Sequence, residues 1–311
     1  MSVLICGSIA YDTIMVFPDR FKQHILPEQL HILNVAFLVP DMRKEYGGCA
    51  GNIAYNIRLL GGEPLIMATV GQDAEGYLQR MDALGLRRDH VRLIDDAYTA
   101  QAFITTDLDD NQITAFHPGA MNYAHQNRVA DADGVRLGIV APDGRDGMLQ
   151  HAEQFAEAGI PFFFDPGQGL PMFGGGELRR FLKLASFCAV NDYEARMLCE
   201  RTGLTLAQVA EEVDAFIVTR GGEGSHIYVD GDVLDIPAVT VPKVVDPTGC
   251  GDAYRAGLLY GRTNGYDWER TGRLASVMGA IKIGCRGGQN HHPERAEIEA
   301  LYQSAFGEKL W

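Results

Sequence analysis

From residue 137 onward, apolar and polar positions alternate in blocks of two lengths. Short runs rich in apolar residues at 137–141, 162–165, 187–191 and 215–219 read as strands. Between them, segments 147–158, 177–185 and 194–202 carry helical patterns, and the first and third stop at Gly159 and Gly203. Thr205-Leu206-Ala207-Gln208 fits a capping box that opens another helix. Such alternation predicts an α/β fold, a doubly wound, mainly parallel sheet with helices on both faces.

The first half is less regular. Val3-Leu4-Ile5-Cys6 reads as a buried strand ending at Gly7-Ser8, with Asp12 at its exit. Ala50, Ile53, Ala54, Ile57 and Leu60 follow the i, i+3, i+4, i+7 spacing of a helix that stops at Gly61-Gly62. A strand over 64–70 and a helix over 73–84, closed by Gly85, come next. Segment 14–42 holds Pro18, Pro27 and Pro40 and no strong helix, so it reads as lid or loop. Runs 103–106 and 112–116 flank the acidic stretch Asp107-Leu108-Asp109-Asp110-Asn111, a hairpin pattern. The C-terminal part is helical over 251–261, 270–283 and 294–306. With no internal repeat or low-complexity linker, the expectation is one domain, 1–311, with a small β lid drawn from 13–45 and 98–121.

Right-handed crossovers place functional loops at the carboxyl ends of parallel strands. Asp12, Asp165-Pro166-Gly167-Gln168, Asn191 and Thr219-Arg220-Gly221 all fall at such ends. Asp246-Pro247-Thr248-Gly249-Cys250-Gly251-Asp252 stands out further. Val239, Val241, Val244 and Val245 suggest a strand leading in, and a helix leads out. Strand, glycine turn and helix aim several backbone N–H groups and a helix dipole at one spot, which suits an anion. Asp252 sits at the helix mouth, where a carboxylate can accept a proton. Glu45-Tyr46-Gly47-Gly48-Cys49-Ala50-Gly51-Asn52 forms a second glycine cluster before a helix. Two glycine-cradled helix starts, one placed Asp and polar strand ends suggest phosphoryl transfer, which needs alignment, charge neutralisation and a base.

Taken singly, each feature has a plainer reading. Asp252 could cap a helix, Asp12 could end a strand, and Asn191 with Glu194 could be an ordinary helix start. Arg255 fits a surface salt bridge as well as a phosphate contact. Phe37, Phe103 and Phe116 are core candidates as much as base-stacking ones, and His291-His292 reads as a solvated loop rather than a metal site.

Composition narrows the classes. The 311 residues are 46% hydrophobic, enough for a sizeable core. A formal charge of −14 argues against nucleic acid or an acidic membrane surface as partner. Cys6, Cys49, Cys188, Cys199, Cys250 and Cys285 are scattered without a C-x-x-C pair, as expected of reduced thiols in a cytoplasmic protein. Residues 1–5 enter a short strand directly, with no signal-like or membrane-spanning run. There is no Gly-x-x-x-x-Gly-Lys-Ser/Thr, no protein-kinase His-Arg-Asp or Asp-Phe-Gly, and no full dinucleotide fingerprint after the first strand.

Gly47-Gly48-Cys49-Ala50-Gly51-Asn52 and the 246–252 turn resemble the two signatures of the ribokinase (pfkB) family of carbohydrate and nucleoside kinases. The likeness runs from Gly7 to Gln289. Gly7-Ser8-Ile9-Ala10-Tyr11-Asp12, His117-Pro118-Gly119-Ala120-Met121 and Phe164-Asp165-Pro166-Gly167-Gln168 look most like its bacterial adenosine kinase and broad-specificity nucleoside kinase branch. The resemblance implies a ribokinase-like fold and ATP-dependent phosphorylation of a nucleoside ribose 5′-hydroxyl, adenosine to AMP first, in purine salvage. Free ribose or fructose is the alternative acceptor, and a non-catalytic nucleotide binder the alternative class. It implies Asp252 as general base and the amides of Gly249, Cys250 and Gly251 as anion hole. Asp12, Gly48 and Asn52, with Ser8 and Gln168, would hold the nucleoside. Asn191, Thr219, Gly221 and Gly224 would meet ATP, and Glu194 would hold Mg²⁺ through water. Residues 282–289 would flank adenine and offer carbonyls to a monovalent cation such as K⁺. Lid pairing into a homodimer is a further family expectation. Cys250 replaces the usual Ala and Tyr254 the usual Phe; the first sets a thiol beside the phosphate, where oxidation could inactivate the site.

Overall fold

Alternate residues of Val3-Leu4-Ile5-Cys6 are buried on opposite faces of one sheet, and this organises the molecule. Val3 and Ile5 pack with Ile53, Ile57 and Leu258 on one side. Leu4 and Cys6 pack with Met148, Phe155 and Phe181 on the other. A strand covered on both faces must be apolar throughout, which is why no polar residue interrupts this run. The computed structural model describes residues 2–25, 34–109 and 111–311.

In chain order the elements are β1 (Ser2–Cys6), β2 (Ala10–Val16), β3 (Asp41–Gly47), α1 (Cys49–Leu59), β4 (Glu63–Gly71), α2 (Glu75–Ala83) and β5 (Arg87–Ile94). Then follow β6 (Ala100–Thr106), β7 (Gln112–His117), β8 (Val135–Val140), α3 (Arg145–Glu157), β9 (Phe162–Phe164), α4 (Gly175–Leu184) and β10 (Phe187–Asn191). The last are α5 (Asp192–Thr202), α6 (Leu206–Glu211), β11 (Ala215–Thr219), β12 (Ser225–Val229), β13 (Asp232–Ile236), α7 (Cys250–Thr263), α8 (Trp268–Ile283) and α9 (Arg295–Phe306).

The larger sheet runs β13-β12-β11-β10-β9-β8-β1-β4-β5. Its strands are parallel from β11 to β5, and β12 and β13 add an antiparallel edge. This is the ribokinase-like α/β architecture expected. The smaller sheet, β3-β2-β6-β7, is built from the segments expected as the lid. Its β6–β7 hairpin forms as expected. At the turn, the Asp107 carboxylate accepts the N–H groups of Phe21, Asp109 and Asn111. Asp110 of that turn, and residues 26–33 of the expected lid segment, lie outside the described residues.

Two expectations are corrected, and three strands are added to those expected. Asp12 does not terminate β1: the chain leaves the large sheet at Gly7 and re-forms a strand, so Asp12 lies within β2, opposite Glu45 of β3. The valines before the 246–252 turn form no strand. Val244 is 63% exposed; Pro242 and Pro247 each remove a ladder donor from this segment. Strands β5, β12 and β13 were not anticipated. The first is a charged edge strand, RRDHVRLI, with weak apolar patterning. The pair β12–β13 carried a hairpin signal in Asp230-Gly231, whose φ values of 52° and 83° fit the primed turn that hairpins prefer.

Candidate active site

Helix α7 begins at a turn held from within by Asp246. One Asp246 oxygen accepts the N–H of Thr248 at 2.9 Å, and the other accepts the N–H of Gly287 at 2.8 Å. Burial would raise this carboxyl, but those donors and the nearby Lys282 hold it below its ordinary value. Gly249 is the N-cap, with φ 77°, a left-handed backbone that favours glycine. The Cys250 N–H donates to Pro247 O at 3.1 Å. Of the three amides expected to form the anion hole, this one is already engaged. The N–H groups of Gly249, Gly251 and Asp252 have no hydrogen-bond partner among the described residues. They are orphan donors at the positive end of a fourteen-residue helix.

Asp252 follows in the first turn of α7, half-buried. Its Oδ2 accepts a hydrogen bond from Asn52 Nδ2 at 2.8 Å, across 200 residues of chain. Asn52 is itself held, because its Oδ1 accepts from Gln289 Nε2 at 3.1 Å. That amide nitrogen also meets the Tyr77 hydroxyl, which donates to Gly47 O, each at 2.7 Å. Burial pushes the Asp252 carboxyl up to about 6, against the lowering effect of the Asn52 bond; Asp165 raises it further and Arg255 lowers it. The Cys49 thiol lies beside Asp252, and burial with that carboxylate pushes it well above its ordinary range.

Asp12 approaches from the smaller sheet. It is half-buried, and its carboxylate accepts no hydrogen bond among the described residues. Burial, with Glu45 and Asp246 nearby, raises it to about 6. A half-buried carboxylate without a donor is an acceptor available to a ligand. Gly47 packs against it, since a Cβ there would fall 2.6 Å from Asp12 Oδ2.

Beside the turn is a cavity of about 280 Å³. Thr219, Gly221, Gly222 and Gly224 line it with Cys250 and Gly251. Val239, Val241 and Val244, expected as a strand, are instead one of its apolar walls; Ser276, Gly279, Ala280 and Ile283 of α8 also line it. At Gly221 a Cβ would meet nothing within 4 Å, so that backbone is open to a bound molecule.

Other expected residues sit differently. Asn191 lies opposite Thr219 at the adjoining strand end but caps α5: its side chain accepts the Glu194 N–H and Glu194 Oε2 accepts the Asn191 N–H, each at 2.8 Å. This is the ordinary helix start weighed above, although the raised, part-buried Glu194 carboxyl keeps its other oxygen free of a partner among the described residues. Ser8 Oγ accepts the Cys49 N–H at 3.2 Å, and Ser8 O accepts the Ala50 N–H at 2.9 Å. Gly48 is walled in, as a Cβ there would fall 2.5 Å from Ala10 N and 2.6 Å from Ser8 O. Gln168 is exposed, and its side chain makes no hydrogen bond among the described residues. Phe37 packs on Phe17 and Phe21, while Phe103 and Phe116 are exposed on the smaller sheet.

Arg255 is neither on the surface nor free for phosphate. It is 4% exposed, grips both oxygens of Asp165 at 3.1 Å and donates to Ala189 O at 3.0 Å. Burial alone would lower it, but Asp165 and Glu194 hold it firmly charged. His291 is buried rather than solvated, and its Nε2 meets Asn56 Oδ1 at 2.7 Å. The Cys250 thiol donates to Asp246 O at 3.8 Å, and burial raises it to about 11, which lowers its thiolate fraction. Among the described residues no helix is long and apolar enough to cross a membrane.

Known proteins match this chain in sequence and fold. The pfkB family carbohydrate kinase model matches residues 9–295. A nucleoside kinase of Methanothermobacter thermautotrophicus is 31% identical over 310 residues, 98% of this chain and 96% of that protein. The solved structure of Burkholderia thailandensis nucleoside kinase in complex with inosine is 56% identical, covers 99% of both chains and superposes with a TM-score of 0.91. The same enzyme in complex with ADP-inosine is 57% identical with a TM-score of 0.88, over 99% of this chain and 97% of that one. A glycine turn with free amides, a carboxylate at the helix mouth and a match over nearly the whole length agree: the chain belongs to the pfkB family of carbohydrate kinases.

Proposed function

We propose that this chain is a nucleoside kinase that transfers the γ-phosphoryl group of ATP to the ribose 5′-hydroxyl of a purine nucleoside, adenosine and inosine being the first candidates. The observation that carries the reading is the Asp252–Asn52 pair at 2.8 Å, set beside unpartnered amides at the α7 N-terminus. The 56% identity over 99% of the chain to an enzyme solved with inosine supports the acceptor class.

Asp252 takes the hydroxyl proton as the phosphoryl group moves in line. A carboxyl near 6 is a stronger base than an ordinary aspartate and is still mostly ionised at neutral pH. Asn52 aims the carboxylate, and Gln289 and Tyr77 fix Asn52. The N–H groups of Gly249, Gly251 and Asp252 stabilise the negative charge on the transferring group. Asp12, with no donor of its own, accepts from the ribose hydroxyls, and Gly48 shapes the backbone beneath them. The lid closes over the nucleoside and excludes water, limiting futile ATP hydrolysis. The apolar cavity takes the adenine of ATP between the valine wall and α8, and the open backbone at Gly221 meets its phosphates.

Glu194 would hold Mg²⁺ through water. A single carboxylate with one free oxygen fits an ion that keeps several waters and takes the rest of its ligands from phosphate. When bound, Mg²⁺ neutralises phosphate charge.

The test is an ADP-release assay with Mg·ATP, offering adenosine, inosine, guanosine, cytidine, ribose and fructose separately. Turnover of a purine nucleoside well above the free sugars is the expected outcome. Turnover of ribose or fructose alone would replace the acceptor, and no turnover at all would return the chain to a nucleotide-binding role.

A further inference from the structure

We propose that the ammonium of Lys282 is a built-in monovalent cation that holds the 246–252 turn in its anion-binding shape, so that phosphoryl transfer here needs no added K⁺. The catalytic half of this inference rests on the kinase reading above.

Lys282 is 0% exposed. Lysine is almost never fully buried unless it is paired. No carboxylate forms an ion pair with it among the described residues. Its partners are two main-chain carbonyls, Asp246 O and Cys285 O, each 2.9 Å from Nζ. It lies in the last turn of α8, where the carbonyl end of a helix favours positive charge.

Those contacts place the charge under the anion hole. Asp246 opens the turn, and its side chain already ties Thr248 and Gly287. Lys282 takes its main-chain oxygen, so the residue is clamped from both ends. A Cβ built on Gly249, the N-cap of α7, would fall 3.7 Å from Lys282 Cε and 3.1 Å from Gly288 Cα. The lysine stem therefore runs beside the cap, and its head fastens turn 246–252 to loop 285–288. Lys282 is a positioning residue, since it reaches the reacting atoms only through this turn.

The stretch expected to offer carbonyls to a free cation does not fit one. Lys282 O accepts the Cys285 N–H at 3.0 Å, and Ile283 O accepts the N–H groups of Val245 and Asp246 at 2.8 and 3.2 Å. Arg286 O accepts from Asn290 at 3.1 Å, and Gln289 O accepts from Arg80 at 2.6 Å. Cys285 O is held by the ammonium itself. A free cation needs several available oxygens and no adjacent positive charge. Here five of the eight main-chain oxygens between 282 and 289 are engaged, those of Gly284, Gly287 and Gly288 being without a partner among the described residues, and the charge is already in place.

The test measures purine-nucleoside phosphorylation in K⁺-free buffer, with added K⁺ or NH₄⁺ balanced by choline chloride at constant ionic strength. It is paired with amide hydrogen exchange of peptides spanning 246–252. Wild type should change by less than about two-fold between K⁺-free and ~100 mM K⁺ buffer. Lys282→Ala should lose about 10- to 100-fold in kcat with a nucleoside KM within about three-fold of wild type. Its turn should exchange faster, and NH₄⁺ or K⁺ should restore both rate and protection, whereas Lys282→Met, which fills the space, should not respond. Activation of wild type by K⁺ of about ten-fold or more overturns the proposal. So does a Lys282→Ala variant with wild-type kcat in K⁺-free buffer, or one whose losses no small cation repairs. Should Lys282→Ala fail to fold, the wild-type response to K⁺ decides alone. Absence of nucleoside turnover by wild type would instead strike the kinase reading, and the exchange measurements would still test the clamp.

Discussion

The glycine-rich starts of α1 and α7 look alike in sequence and differ in structure. At α1 the N–H groups of Cys49 and Ala50 are taken by the side chain and main chain of Ser8, and Gly48 is sealed against the Ala10 backbone. At α7 the amides of Gly249, Gly251 and Asp252 have no partner among the described residues. Both helices have a positive end, but at α1 two successive first-turn amides, Cys49 and Ala50, are held by Ser8 and only those of Gly48 and Gly51 lack a partner among the described residues, against three at α7. The work of α1 is different: it packs against the core and carries Asn52 to Asp252. Glycine at Gly48 serves close packing, whereas at Gly249 it serves a left-handed cap beside a site.

That contrast can be broken by substitution. Gly48→Ala should be the most damaging to the fold, costing more than about 3 kcal/mol, because the new Cβ meets backbone that cannot retreat and the φ of 85° is unfavourable. Gly249→Ala should cost only about 1–2 kcal/mol in stability and yet lower kcat sharply, because the turn that aims the amides shifts. Thermal unfolding and steady-state kinetics on both variants measure the two effects. Equal loss of stability at the two positions would contradict the distinction.

Asn52→Ala should lower kcat/KM by about 10- to 100-fold and move its acidic limb upward, since the Asn52 bond lowers the Asp252 carboxyl. In wild type that limb should lie near pH 6, with kcat/KM falling about ten-fold per unit below it if Asp252 alone must be ionised, and faster if Asp12 must be as well. Asp12→Asn separates the two by returning the steeper slope to unity. The smallest effect belongs to Ser8→Ala, which removes the acceptor for Cys49 N–H and should cost about 1 kcal/mol with kcat unchanged.

The large sheet was legible because its signals are local: apolar runs for strands buried on both faces, glycine stops for helices. The 246–252 motif was legible for the same reason. What failed depends on what lies opposite. Val239, Val241 and Val244 are β-branched in either a strand or a cavity wall, and no local pattern separates the two. Whether an amide is engaged, as at Cys49 and Cys250, depends on partners that only the fold supplies. Arg255 gave no hint of Asp165, ninety residues away, and Lys282 reads as an ordinary helix-end lysine until its burial is seen. Polar edge strands such as β5 escaped because solvent exposure removes the apolar alternation by which strands are recognised.

The central claim is that Asp252 is the base at the α7 helix start. Burial raises its carboxyl to about 6 from an ordinary value of about 3.9, so the ionised form is worse off folded than unfolded. Its cost is absent below the unfolded value and fully present above the folded one, so this group's effect on stability worsens as pH rises between them. Asp252→Asn removes the charge and can keep the Asn52 hydrogen bond. The decisive measurement is kcat for Asp252→Asn with saturating Mg·ATP and a purine nucleoside, alongside the nucleoside Kd and Tm at pH 7.5. The account predicts a kcat loss of at least about 100-fold, a nearly unchanged Kd and a Tm no lower than wild type. A variant that turns over near the wild-type rate would remove Asp252 from its role, and the α7 turn would then be an anion site without a base.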